Sequence, residues 1–186
     1  ERAKVIAGDR VVVVGAGPMG LGIVAAAAHS GANVMAVEPI PERRALALEF
    51  GAETVVDPNA ASVEEAVLDW TSGRRANVCM ATVGIGKVME SCMRLVGERG
   101  RVVLFGGLPK ADPRVMIDAN RIHYGDIELA GAFSYHPTMH ALALDLLQRG
   151  VIPADRLITH VFPLDGIAEA FGAAASGAGL KVVITP

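Results

Sequence analysis

The stretch that most constrains the fold is residues 11–20, where four consecutive valines lead directly into a glycine-rich turn. An unbroken run of β-branched residues is typical of a parallel strand that is covered on both faces. Residues 15–20 then read G-A-G-P-M-G, which has the spacing G-x-G-x-x-G, and an apolar helical stretch follows at 21–28. The order strand, glycine turn, helix predicts the first unit of an α/β protein.

Each glycine of this turn has a physical role in the predicted unit. Gly15 allows a tight turn, Gly17 lets the backbone approach a pyrophosphate, and Gly20 lets the helix pack against the strand. Free N–H groups and the positive end of the helix dipole then face the phosphates.

An acidic residue completes this pattern. Glu38 ends a second short apolar strand at 33–37, where its carboxylate can accept hydrogen bonds from both ribose hydroxyls of an adenosine. A lone glycine motif would be a weak signal, and a purely structural glycine turn is the alternative. Because strand, glycines, helix, strand and acid occur in order, the sequence predicts a dinucleotide-binding site.

The remainder of the chain alternates short strands and helices, which predicts a doubly wound, mainly parallel sheet of six strands. A helix at 136–148 and two strands at 157–162 and 180–185 follow, and these strands have no obvious place in that sheet. We therefore predict a nucleotide-binding domain at 1–150 and a segment of a neighbouring domain at 151–186. Further strands are predicted at 53–56, 77–81, 101–105 and 126–133, and further helices at 41–50, 62–70, 86–96 and 166–174.

Composition and isolated residues exclude several other functions. The net charge of −3 argues against nucleic acid as a partner, and the lack of a membrane-length apolar run or a signal peptide predicts a cytoplasmic protein. Cys79 and Cys92 lack C-x-x-C spacing and are predicted to be reduced, buried thiols. His136 and His140 share a helix face without an acid between them, which disfavours a metal pair. The sequence thus predicts a cofactor site without a reaction centre.

Four segments and Glu38 together resemble the zinc-containing medium-chain alcohol dehydrogenases, and the sorbitol and threonine dehydrogenase-like branch is the most similar. The resemblance covers nearly the whole chain, with the motifs in family order. The segments are V-V-V-V-G-A-G-P-M-G-L-G at 11–22, E-R-R-A-L-A-L-E-F-G-A-E-T-V-V-D-P at 42–58, G-E-R-G-R-V-V-L-F-G-G at 97–107 and I-T-H-V-F-P-L-D-G-I-A-E-A-F at 158–171.

The resemblance implies a Rossmann coenzyme domain followed by the C-terminal segment of a GroES-like catalytic domain. It implies NAD as the cofactor, because an acid at the position of Glu38 serves NAD and would repel the 2′-phosphate of NADP. The parent enzyme would oxidise a secondary alcohol by hydride transfer to NAD. Its zinc ligands would come from an N-terminal catalytic domain that this chain lacks, so the chain alone is expected to be inactive.

The resemblance also assigns coenzyme contacts beyond the three glycines and Glu38. It places a pair at the pyrophosphate, a basic residue near the adenosine ribose, and a loop at the nicotinamide ribose. It further places backbone positions around the carboxamide and a second basic residue that reaches the pyrophosphate. The pair at the pyrophosphate is Pro18 and Met19, the basic residue near the ribose is Arg43, and the loop contains Val83 and Gly84. The positions around the carboxamide are Phe105, Gly106, Gly107 and Ala130, and the second basic residue is Lys181.

Two alternative functions and one assembly remain as hypotheses. A zinc-free, quinone-reductase-like member of the superfamily usually prefers NADPH, and Glu38 argues against it. A non-catalytic NAD-sensing Rossmann domain would not need the strands at 157–186. The resemblance also implies a homodimer or tetramer formed through the edge strand at 126–133, because an exposed edge can pair with its symmetry mate.

Overall fold

A six-stranded parallel sheet is the main feature of the computed structural model, which describes residues 2–177 and 179–186. The strands follow the order β3-β2-β1-β4-β5-β6, so the chain winds outward from β1 in both directions. This order confirms the predicted doubly wound α/β fold. The strands are β1 Arg10–Val14, β2 Asn33–Val37, β3 Thr54–Val56, β4 Ala76–Ala81, β5 Val96–Leu104 and β6 Glu128–Gly131.

The central strand β1 is buried on both sides. Val11, Val12 and Val13 are each 0% exposed, and successive side chains of a strand point to opposite faces. Both faces of the sheet are therefore covered at β1, as the unbroken valine run predicts. Each fully buried valine contributes about 1.5–3 kcal/mol relative to an exposed one.

Five helices connect the strands of this sheet. Two begin with proline at the first helical position. An N–H at this position would have no partner within the helix, so proline, which has none, loses nothing there. A third is capped by Ser62, whose Oγ accepts a hydrogen bond from the Glu65 N–H at 3.3 Å, as the capping-box spacing predicts. The helices are α1 Pro18–His29, α2 Pro41–Glu49, α3 Val63–Trp70, α4 Gly86–Leu95 and α5 Ala119–Gly125.

The two cysteines lie in the core of this unit. Cys79 on β4 and Cys92 on α4 are free and fully buried, as predicted. A hydrogen bond with Cys92, together with burial, raises the pKa of the Cys79 thiol well above its ordinary value. The Cys79 thiol is therefore protonated at neutral pH and unreactive.

The sequence prediction is wrong in three places within this unit. Pro109 and Pro113 in a polar stretch predict a loop up to residue 124, but the carboxylate of Asp118 accepts the Asn120 N–H at 2.9 Å and starts α5. The two glycines at 97 and 100 predict a turn there, but residues 97–100 belong to β5, which pairs with β4 across a register shift. The predicted edge strand 126–133 is only Glu128–Gly131, because Asp126 adopts a left-handed backbone (φ 50°) at the end of α5.

The chain divides into two compact units, Glu1–His136 and Pro137–Pro186. In the second unit two strands pair in parallel and form a sheet of their own, so they stay out of the six-stranded sheet as predicted. The sequence predicts that Asp165 caps a helix at 166–174, but Asp165 lies in a 3-10 turn, Leu164–Gly166, ahead of the helix Ile167–Ser176. The elements are α6 Pro137–Gln148, α7 Ala154–Leu157, β7 Ile158–Pro163, α8 Ile167–Ser176 and β8 Lys181–Thr185.

The boundary between the two units lies just before α6, whereas the sequence predicts that this helix belongs to the first domain. The proposed border between 1–150 and 151–186 therefore stays a prediction about domain membership. Among the described residues, none of the helices has the length and apolar character needed to cross a membrane.

Candidate coenzyme-binding site

The first glycine of the motif makes the turn at the end of β1. Gly15 has φ +102°, and its N–H donates to the Val37 carbonyl at 2.8 Å, which ties the turn to β2. A Cβ atom here would lie 2.5 Å from Thr82 Oγ1 and 2.7 Å from Val83 Cγ1. Both the backbone conformation and the close neighbours therefore require glycine.

The second glycine faces open space at the N-terminus of α1. Gly17 is the N-cap residue, and apart from its two chain neighbours no described residue has an atom within 4 Å of the position its Cβ would take. The N–H groups of the first helical turn have no partner within the helix and point toward this end. The space beside Gly17 thus fits a phosphate group, and Pro18 and Met19 begin the helix there.

The third glycine is required by packing. A Cβ atom at Gly20 would overlap the carbonyl oxygen of Gly15, so only glycine lets α1 approach the turn this closely. The structural roles predicted for Gly15 and Gly20 therefore agree with the geometry. The contacts of the motif with a nucleotide stay predictions.

Glu38 lies against the glycine turn. Its side chain is nearly buried (4% exposed), and its Oε2 accepts the Ala16 N–H at 2.7 Å while its Oε1 accepts the Ile40 N–H at 3.1 Å. A carboxylate oxygen can accept more than one hydrogen bond, so each oxygen keeps capacity for a ribose hydroxyl. The structure thus brings the acid and the glycine turn together, as their order in sequence predicts.

The two arginines of α2 lie in different surroundings. Arg43 lies in the first turn of α2 and is half-buried, and its contact with the adenosine ribose stays a prediction. Arg44 Nη1 donates to the carbonyls of Glu38 at 2.8 Å and Pro39 at 2.7 Å. It also pairs with Asp57 Oδ2 at 3.1 Å. The sequence predicts that both arginines lie near Glu38, but it does not predict the contacts of Arg44, because these depend on Asp57 after β3.

The C-terminal ends of β4 and β5 lie at the same edge of the sheet as those of β1 and β2. Thr82 Oγ1 donates to the Val14 carbonyl at 2.9 Å, a contact that the sequence does not predict. A Cβ atom at Gly106 would lie 2.6 Å from the Val83 carbonyl carbon, and one at Gly84 would overlap the Gly107 oxygen. These small residues let the two strand exits pack against each other.

For three further residues that are predicted to contact the coenzyme, the structure gives the position in the fold, and the contact itself stays a prediction. Phe105 follows β5, and its N–H donates to the Ala81 carbonyl at 3.0 Å. Ala130 lies in β6 opposite Val103, and Lys181 begins β8 in the second unit. Within the described residues, no three His, Cys, Asp or Glu side chains gather where a metal ion could bind.

Comparison with known proteins places this geometry in a family. The zinc-binding dehydrogenase family profile matches residues 18–149, which is well over half of the chain. The chain belongs to this family. It is similar to the L-threonine 3-dehydrogenase of Thermococcus kodakarensis, with 36% identity over 97% of this chain and 52% of that protein. It is also similar to the sorbitol dehydrogenase of Bombyx mori, with 30% identity over 99% of this chain and 53% of that protein.

Solved structures of zinc-binding dehydrogenases share the fold. An alcohol dehydrogenase from Thermotoga maritima matches with a TM-score of 0.92 and 27% identity, over 100% of this chain and 52% of that one. A zinc-binding dehydrogenase from Sinorhizobium meliloti, solved with bound NADP, matches with a TM-score of 0.90 and 30% identity, over 99% of this chain and 54% of that one. The chain spans about half the length of the curated relatives it matches.

Proposed function

We propose that this chain is the NAD-binding part of a zinc-dependent alcohol or polyol dehydrogenase. The observation that carries the proposal is the position of Glu38, whose carboxylate is hydrogen-bonded to the backbone of the glycine turn. An acid fixed beside a phosphate-binding turn is the arrangement that holds the adenosine ribose of a dinucleotide. The similarity to threonine and sorbitol dehydrogenases supports a secondary alcohol as the substrate of the whole enzyme.

The residues of the chain bind and orient the coenzyme in this proposal. The pyrophosphate lies at Gly17 and the start of α1, with Pro18 and Met19 beside it, and the ribose lies at Glu38. The nicotinamide half lies along the exits of β4 and β5. When bound, NAD supplies the acceptor for a hydride from the alcohol carbon. Further proposed contacts are Arg43, Val83, Gly84, Phe105, Gly106, Gly107, Ala130 and Lys181.

Zinc does not fit the residues that the structure describes. Because the described residues bring no three potential ligands together, we assign no zinc-dependent step to them. We propose that the metal and the substrate pocket belong to another part of the enzyme, so that the chain alone binds NAD without turnover. We also propose that the enzyme is cytoplasmic.

The choice of NAD over NADP rests on the charge of Glu38. The 2′-phosphate of NADP would lie against a nearly buried carboxylate, where like charges repel more strongly than in water. The relative from Sinorhizobium meliloti was solved with NADP, so the family as a whole does not decide the coenzyme. The charge at residue 38 favours NAD in this chain.

Replacing Glu38 tests both the site and the coenzyme. Glu38→Gln is expected to weaken NAD binding by about tenfold, because a ribose hydroxyl loses its charged acceptor. NADP binding is expected to weaken less or to improve, because the repulsion of the 2′-phosphate is lost. Calorimetric titration of wild type and variant with each coenzyme measures the ratio of the two affinities.

Stability must be measured alongside these titrations. The glutamine NH₂ group faces a backbone N–H of either Ala16 or Ile40, so the variant is expected to lose about 1–3 kcal/mol of unfolding free energy. The ratio of the NAD and NADP affinities is insensitive to this loss, because unfolding of the variant lowers both apparent affinities equally. An unchanged preference for NAD in the folded variant contradicts the proposed role of Glu38.

We further propose that β6 pairs with its symmetry mate in a dimer. The strand lies at the edge of the sheet, and Phe133, just beyond it, is 100% exposed. We expect sedimentation velocity to show a dimer at micromolar concentration. Phe133→Glu is expected to shift the protein toward monomer and to leave the unfolding temperature of the dilute monomer unchanged, since the ring has no burial to lose within one chain. A wild-type monomer at high concentration contradicts this assembly.

A further inference from the structure

We propose that Arg44 is a positioning residue for coenzyme selection, because its side chain fixes the turn that carries Glu38. This inference rests on the proposed function and adds a residue that the family resemblance does not assign. Arg44 is not expected to touch the coenzyme. It acts on the backbone at 38–40, which links β2 to α2.

The turn at 38–40 has few backbone donors of its own. Pro39 and Pro41 carry no N–H group, so neither can donate to a neighbouring carbonyl. The one N–H between them, that of Ile40, donates to the carboxylate of Glu38. The Glu38 N–H donates to the Val56 carbonyl at 3.0 Å, so the turn has no N–H left for its own carbonyls, which depend on donor groups outside it.

Arg44 supplies those groups from the first turns of α2. A single nitrogen, Nη1, contacts three oxygens: the carbonyls of Glu38 at 2.8 Å and Pro39 at 2.7 Å, and Asp57 Oδ2 at 3.1 Å. The backbone of Arg44 also donates to the Ile40 carbonyl at 3.0 Å. The guanidinium thus joins the end of β2 to the residue that follows β3.

The ion pair is more shielded than most surface pairs. The Arg44 side chain is 20% exposed and that of Asp57 is 27% exposed, which limits screening by solvent and salt. The charge of Arg44 is directed at Asp57 and two carbonyls. With the turn fixed in this way, the Glu38 carboxylate is held between Ile40 and Ala16, where it accepts ribose hydroxyls and repels a 2′-phosphate.

Arg44→Ala is expected to weaken NAD binding by about tenfold and to narrow the preference for NAD over NADP by about fivefold. The preference narrows because a displaced carboxylate loses both its attraction for the hydroxyl and its repulsion of the phosphate. Arg44→Lys is expected to recover part of both effects, since an ammonium can donate to the same oxygens. Asp57→Asn is expected to weaken NAD binding and to narrow the preference for NAD over NADP, each by a smaller factor than Arg44→Ala does. Calorimetry with NAD and NADP gives these values.

The pair between Arg10 and Glu53 provides a matched control. Arg10 Nη1 lies 3.2 Å from Glu53 Oε2, in another arginine–carboxylate pair of the same sheet. It joins the starts of β1 and β3, at the opposite edge from Glu38. Arg10→Ala removes a more exposed ion pair, together with a cation–π contact 4.9 Å from the Trp70 ring, and is expected to leave both coenzyme affinities unchanged.

Hydrogen exchange supplies a readout without coenzyme. In Arg44→Ala the amides of Ala16 and Ile40, both bonded to Glu38, are expected to exchange about tenfold faster than in wild type or Arg10→Ala. Unchanged exchange and an unchanged NAD preference in Arg44→Ala overturn this inference. A wild-type chain that binds neither coenzyme while Arg44→Ala speeds this exchange overturns the proposed function instead.

Discussion

Gly17→Val is expected to abolish measurable NAD binding, with a loss of at least about a hundredfold, while the chain still folds. Gly17 has φ −70°, which valine adopts without strain, and apart from its chain neighbours no described residue has an atom within 4 Å of its Cβ position. The side chain would therefore occupy the space in which we place the pyrophosphate. Because the helix loses a favourable N-cap residue, we expect the free energy of unfolding to fall by about 1 kcal/mol at most.

Calorimetry and urea denaturation separate these two effects. Gly22→Ala is the matched control, because Gly22 also has open space at its Cβ position but lies inside α1. That change is expected to raise stability by about 0.5–1 kcal/mol and to leave NAD binding intact. If Gly17→Val binds NAD as tightly as wild type does, the pyrophosphate does not lie at this turn.

Gly20→Ala, three residues along the same helix, is expected to destabilise the fold itself by about 3 kcal/mol or more. The added methyl group would overlap the Gly15 carbonyl oxygen and lie 3.3 Å from Thr82 Oγ1. Because the obstacle is backbone rather than a flexible side chain, α1 must move away from the glycine turn to relieve the overlap. Overpacking of this kind typically costs about 1–3 kcal/mol, and backbone obstruction raises that figure.

Urea denaturation of Gly20→Ala measures this loss, and Gly22→Ala again serves as the control on the same helix. NAD binding is expected to weaken as well, but only as a consequence of the displaced turn. A Gly20→Ala midpoint equal to that of wild type would show that α1 does not pack against the turn as closely as the structure has it. The contrast between Gly17 and Gly20 thus separates binding from packing within one motif.

The central strand, its glycine turn and the acid could be predicted because their signals are local. Four valines and three spaced glycines define β1 and the start of α1 from neighbouring residues alone. The parallel order of the strands then places the end of β2, and with it Glu38, beside that turn. The fold and the centre of the candidate site follow from this short stretch.

The missed features depend on contacts between distant residues. Arg44 is paired with Asp57 and with the carbonyls of the turn, and no periodicity in sequence distinguishes it from its neighbour Arg43. Thr82 contributes through a bond to Val14, which only the adjacency of β1 and β4 creates. By contrast, the start of α5 had a local signal in Asp118 as its cap.

The central claim, that NAD binds at the glycine turn beside Glu38, is tested most directly by titrating the ¹⁵N-labelled chain with NAD and following its amide resonances. We expect the largest shifts at Ala16, Gly17 and Ile40, with smaller shifts at Gly84, at the exit of β4. Resonances at the opposite edge of the sheet, such as that of Arg10, are expected to stay in place. No shift at millimolar NAD, or shifts confined to that opposite edge, would contradict the account.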